Sequence, residues 1–199
     1  MFTIEAQRHG EKQTSKAKPE GTEAAEPTEM NPPGPAVGRL AGAVLAKISE
    51  QIERTIHLIG LIPDVHWTPP IPGAWTFGEL LGHLLDCLAG VCAVLYAAHP
   101  DELAHFPELQ KLSVNFACWP DEATERIEFY RARIAEGFAM LRDDDLGSRL
   151  PTVFVAEGES VLTLLLGNLE HLINHKHQLF LYLKLAGVNV GTPDLYQFR

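Results

Sequence analysis

From Ala36 onward, apolar residues recur every three or four positions, and proline falls only between these runs. No proline lies between Ala36 and Ile62, Gly73 and His99, Asp121 and Leu150, or Thr152 and Thr192. The first interval sets Val37, Leu40, Ala41, Val44, Leu45, Ile48, Ile52, Ile56 and Ile59 on one helical face. The third sets Ala123, Ile127, Tyr130, Ile134, Phe138 and Leu141 opposite Glu125, Arg126, Glu128, Arg131 and Arg133. The second and fourth are apolar almost all round, which predicts more deeply buried helices.

Local signals sharpen these boundaries. Thr76-Phe77-Gly78-Glu79 is a capping-box pattern opening the second helix. The fourth helix is predicted to begin near Glu159 or Ser160 and to stop at Gly187. The β-branched stretch Thr152 to Val155 reads as a short extended piece, and no alternating pattern calls for a sheet. Four helices of about 25 residues, each roughly 37 Å long, joined by loops at 62–74, 100–119 and 147–158, predict an all-α antiparallel four-helix bundle.

Residues 1–35 break the pattern. Their strong apolar residues are Met1, Phe2, Ile4 and Met30, set among five prolines, Glu and Lys. Such a segment buries too little surface to offset its ordering entropy and is expected to be a disordered tail, leaving 36–199 as one domain. The net charge is −10, of which the tail carries −2. The acidic remainder argues against a general nucleic-acid binder, which needs a cationic face. Three Cys rule out a disulfide scaffold. The best uncharged stretch, Cys87 to Pro100, is 14 residues, short of a membrane span, and Met1 to Gln13 lack the unbroken apolar core of a signal peptide. The expectation is a soluble cytoplasmic protein.

The nine His bring in chemistry. On a helix, Asn168, His171, His175, Gln178 and Tyr182 fall within about an 80° arc. This polar stripe runs down an otherwise apolar helix and needs partners. His171 and His175 are one turn apart and can reach one ion, since neutral imidazole suits Zn, Ni, Cu or Fe. His177 points about 160° away from His175. His83, on the second helix, adds a third inward nitrogen. Three His from two helices would leave open positions on a metal, the layout of a catalytic site. The plainer alternative is a hydrogen-bonded polar layer of core histidines.

Trp75-Thr76-Phe77-Gly78-Glu79-Leu80-Leu81-Gly82-His83-Leu84-Leu85-Asp86 resembles the second-helix motif of the DinB superfamily. His171-x-x-x-His175-Lys176-His177-Gln178 resembles its fourth-helix motif, usually His-x-x-x-His-Arg-Gly-Gln. The run from Tyr182 to Tyr196 resembles the family's ending, so that the likeness covers about residues 37–199. It implies a four-helix bundle, often a homodimer, holding a divalent metal, commonly Ni or Zn, through His83, His171 and His175. Known activities in the family include thiol-cofactor-dependent transfer and isomerisation, and other members are called metal-dependent hydrolases. Lys176 and His177 depart from the usual Arg-Gly.

The remaining candidates have competing structural explanations. Glu79 and Asp86 lie one turn either side of His83 and are candidates to orient a ligand or act as base. The capping box already accounts for Glu79. Asn168, Gln178 and Tyr182 are candidates for lining a pocket, or for pairing and packing between helices. Cys87 shares the face of His83 and is open as a fourth ligand, although Cys87, Cys92 and Cys118 fit better as small buried hydrophobes. His57, His66, His99, His105 and His9 are expected to be solvated. The reading is a metal-dependent enzyme, a transferase using a low-molecular-weight thiol or a hydrolase, acting on a small molecule. The metal would serve to lower the pKa of a water or thiol. The alternative is a non-catalytic, stress-associated dimeric bundle holding a metal or ligand.

Overall fold

The computed structural model describes residues 38–64, 69–107, 117–152 and 155–196. The tail 1–35, His9, His66 and part of the stretch Thr152 to Val155 lie outside the described residues. Four long helices form the bundle: α1 (Arg39–Ile59), α2 (Phe77–Ala98), α3 (Pro120–Met140) and α4 (Val161–Leu185), followed by a short α5 (Thr192–Tyr196). This is the all-α four-helix bundle the periodicity predicts. Only α4 reaches 25 residues; the other three span 21 or 22.

The predicted boundary signals act through identifiable bonds. At α2, the Glu79 amide donates to Thr76 Oγ1 at 3.1 Å, and Glu79 Oε2 accepts from the Thr76 amide at 2.7 Å. At α4, Ser160 Oγ accepts from the Thr163 amide at 3.0 Å. Gly187 takes φ +80°, and α4 closes with Gly187 N–H on Lys184 O and Val188 N–H on Leu183 O. The start of α1 is different, because Gly38 offers no side chain. Asp143, in the 3-10 turn Asp143–Gly147 that follows α3, accepts from the amides of Leu40 and Ala41. A Cβ at Gly38 would overlap that carboxylate.

Two expectations about the α3–α4 connection need correction. Helix α3 stops at Met140 rather than running on to the loop expected from 147, since the 3-10 turn intervenes. The described residues also hold a pairing of strands where no alternating pattern calls for a sheet. It is formed by β1 (Arg149–Leu150), paired antiparallel with β2 (Glu159–Ser160) in a two-stranded ribbon at the foot of α4.

Helix α2 packs on α3 and α4, and α1 packs on the same two, so α1 and α2 are diagonal. Contacts along the helices set their directions. The Cys118 amide just before α3 donates to Gly78 O at the start of α2, and Gly137 meets Leu95 near both C-termini, so α2 and α3 run parallel. Asp143, just past α3, caps the start of α1, so these two are antiparallel. Phe77 meets Tyr182 and Gly90 meets Asn168, so α2 and α4 are antiparallel. The parallel α2/α3 pair explains the long connection 99–119, which must return the chain along about 33 Å of helix.

The core runs the length of the bundle, with Ile48, Leu80, Tyr130, Phe138, Leu165 and Leu172 almost fully buried. Helix α2, at 22 residues and a mean hydropathy of 1.8 over its most apolar 18, is long and apolar enough to cross a membrane. This corrects the count based on Cys87 to Pro100, which ignored that Phe77 to Leu85 continues the same helix. Most of that surface is buried against α3 and α4.

Candidate metal centre

The α2/α4 contact brings three of the predicted residues together. His83 Nε2 and His171 Nε2 are 3.1 Å apart. The ring centroid of His175 lies 4.4 Å from that of His83 and 4.7 Å from that of His171. On α4, the i, i+4 spacing stacks two imidazoles on one face. On α2, His83 faces them because Leu80, Leu81, Leu84 and Leu85 take the buried positions around it. The helices approach closely two turns along α2 from His83, at Gly90. There Gly90 has no Cβ to collide with the Asn168 side chain, whose Nδ2 donates to Leu164 O at 2.9 Å.

The outer nitrogen of His175 is hydrogen-bonded, and that of His83 has a carboxylate neighbour. Gln178 Oε1 can only accept, so His175 Nδ1–H is the donor in their 2.8 Å bond. Gln178 Nε2–H in turn donates to the Tyr182 hydroxyl at 3.1 Å. The Tyr182 ring is buried edge-on against Phe77. This relay fixes the His175 ring, the outer partner a ligating imidazole requires. Asp86 Oδ2 lies 3.7 Å from His83 Nδ1. Burial raises the Asp86 pKa. Burial, with His175 and His171 adding to it, pushes His83 down to about 4 and lowers His171 as well. Neutral imidazole is the ligating form. The 3.1 Å between His83 Nε2 and His171 Nε2 is close to the edge, about 3.3–3.4 Å, of a tetrahedron with metal–nitrogen bonds of about 2.0–2.1 Å. The donor set therefore fits a divalent ion.

Measured by ligand atoms rather than rings, the cluster includes Cys87, while His175 joins by ring proximity. Ligand atoms of His83, Cys87 and His171 all lie within 4.8 Å of one another. Cys87 is buried, as are Cys92 and Cys118, and all three are free thiols. Burial pushes the Cys87 thiol up to about 12.

The other sequence candidates separate. Glu79 is exposed, and its carboxylate is bonded to Thr76, which lowers its pKa. Asn168 serves the helix contact rather than a pocket wall. Tyr182 and Gln178 act behind His175. Lys176 is 3% exposed and turns to the opposite side, where Nζ donates to Gln51 Oε1 at 2.9 Å and Leu195 O at 3.3 Å. The residue in the usual Arg position thus ties α4 to α1 and α5. His177 is exposed with its ring edge on Phe180.

Three histidines expected to be solvated also have carboxylate neighbours, and of these His105 is exposed while His57 and His99 are part-buried. His57 meets Asp194 at 3.2 Å, His105 meets Glu136 at 3.0 Å, and His99 sits 3.7 Å from Asp145. Each partner comes from a distant segment that helix periodicity does not relate to it.

Sequence reasoning assigned no role to Trp75. Its ring stacks on His175 at 5.9 Å and tilts toward His83 at 5.0 Å, while 42% of the residue stays exposed. The available signal was its place directly before the Thr76 cap, which holds it at the mouth of α2.

The DinB superfamily profile matches residues 47–179, which include all three histidines and Cys87. A crystal structure at 1.70 Å of a protein assigned to the DinB family, from Exiguobacterium sibiricum 255-15, superposes with a TM-score of 0.56 at 20% identity. The match covers 80% of this chain and 99% of that one, and it shows the shared fold. No curated protein matches the chain. With the profile spanning two thirds of its length and the bundle reproduced, this chain belongs to the DinB superfamily.

Proposed function

We propose that this protein binds a divalent metal, Ni or Zn, through His83, His171 and His175. We further propose that it is a metal-dependent enzyme acting on a small molecule, a transferase using a low-molecular-weight thiol or a hydrolase. The observation that carries the reading is the 3.1 Å approach of His83 Nε2 to His171 Nε2, with His175 held beside them by Gln178. A bound ion supplies Lewis acidity that lowers the pKa of a thiol or water. The chain's own residues do the rest. Gln178 and Tyr182 hold the His175 ring, Asp86 stands at the outer nitrogen of His83, and Trp75 covers part of the cluster with an apolar face.

Elemental analysis of protein purified without a His tag tests the site. About one metal ion per chain, lost in His171→Ala, is expected; metal far below one per chain and unchanged by that substitution would sink the reading. Turnover of thiol-transfer, ester or amide substrates that is lost on chelation and restored by metal tests the enzyme.

A second reading is a non-catalytic, stress-associated dimer that holds a metal or ligand. It is favoured by Leu166, Leu181 and Leu185, which expose apolar surface on α4, and by the use of Glu79 as a cap rather than a base. Sedimentation of the metal-loaded protein reads the homodimer common to both readings. No turnover in the presence of metal would favour the second. We place the protein in the cytoplasm, with three free buried thiols as the supporting observation.

A further inference from the structure

We propose that Cys87 supplies a thiolate as fourth ligand, so that this chain builds a three-nitrogen, one-sulfur centre instead of an open three-His one. The inference rests on the metal-binding reading above and changes its donor set. Each of the two facing helices presents a pair one turn apart, His83 and Cys87 from α2, His171 and His175 from α4. Because α2 and α4 are antiparallel, the two pairs face each other, with the His175 ring against those of His83 and His171. Ligand atoms of His83, Cys87 and His171 already lie within 4.8 Å of one another.

A tetrahedral centre with metal–nitrogen bonds of about 2.0–2.1 Å and a metal–sulfur bond of about 2.3 Å has nitrogen–sulfur edges near 3.5 Å. Closing onto an ion therefore requires a shift on the order of 1 Å. The bond that Cys87 gives up is weak, a thiol donating to His83 O at 3.3 Å. On loading, the ion displaces the thiol proton to solvent and the sulfur–metal bond forms.

A thiolate changes what the centre accepts. It favours Zn, Co, Ni or Cu(I) over Mg, Mn and Ca, which prefer oxygen. Four protein ligands also close the first shell. An incoming thiol or other substrate then has to replace Cys87 or add as a fifth ligand. Cys92 and Cys118 are equally buried but lie outside the ligand cluster, so they serve as internal controls.

The full-length protein, stripped and titrated with Co(II), tests this. One Co(II) per chain with tetrahedral visible bands and a near-ultraviolet thiolate-to-cobalt charge-transfer band is expected. Cys87→Ser should lose the charge-transfer band and weaken binding at least tenfold, as even outer-shell changes do. Cys92→Ser should keep both. Stoichiometric binding with no charge-transfer band, unchanged in Cys87→Ser, overturns the sulfur ligand and leaves the three-His centre standing. Failure of the wild type to bind Co(II) or Zn(II) overturns both. X-ray absorption of the wild-type zinc form needs no variant: a sulfur scatterer near 2.3 Å supports the proposal, and a nitrogen-only shell refutes it.

Discussion

His83 and His171 stand 88 positions apart in the chain and meet with their Nε2 atoms 3.1 Å apart across the α2/α4 interface. A ligand that binds the folded state alone stabilises it by about 2.7 kcal/mol at a hundred times its Kd. We expect saturating Zn(II) to raise the melting temperature of the wild type by several degrees. His83→Ala should abolish that shift, read by calorimetry with and without chelator.

Trp75 stacks on His175, so its fluorescence should report loading. Paramagnetic Co(II) or Ni(II) should quench the wild type at one equivalent. Trp75→Phe should lose most of that quenching while binding the same amount of metal. Equal quenching in the variant would assign the signal to Trp67 or Trp119.

The Gly90–Asn168 approach sets two effects in opposition. Alanine at a helical glycine gains about 1 kcal/mol of propensity. A Cβ at Gly90 would overlap Asn168 and separate the helices that carry the ligands, at a typical cost of about 1–3 kcal/mol. We expect Gly90→Ala to be destabilised and to bind metal more weakly. Adding Asn168→Ala should recover part of the stability, a non-additive pair in a chemical-denaturation cycle.

Lys176 links three helices and touches none of the metal-centre residues through its ammonium. Lys176→Ala leaves buried oxygens of Gln51 and Leu195 without a donor, at about 1–3 kcal/mol. The melting temperature should fall while metal stoichiometry stays at the wild-type value. Loss of metal in a folded Lys176→Ala protein would contradict this division of roles.

Asp143 connects pH to the α1 terminus. The amides of Ala41 and Leu40 hold its carboxyl below the usual carboxylate value. A folded pKa below the unfolded one contributes stability that is present above the unfolded value and lost as pH falls through the folded value. The contribution should therefore fade below about pH 4. Asp143→Asn should flatten that part of an acid-unfolding curve, and Gly38→Ala, which blocks the same contact, should lower stability at neutral pH.

The residues alone locate four helices, the cap at Thr76, a start for α4 near Glu159 or Ser160, the stop at Gly187, and a polar stripe on one face of α4. These features are local: they depend on a 3.6-residue period, on bonds spanning three residues, and on the one residue type that tolerates positive φ. The same period placed His171 and His175 together. What stands opposite them was a matter of helix adjacency and direction, which periodicity does not encode. The folded chain alone brings α2 and α4 into antiparallel contact. That contact turns His83 and Cys87 toward the α4 pair, and it leaves α2 and α3 parallel across a long connection. The folded chain also turns Lys176 away and sets Trp75 over the cluster. The α3–α4 ribbon and the capping of α1 by Asp143 join residues through contacts made after the chain turns back on itself, so no local signal announced them.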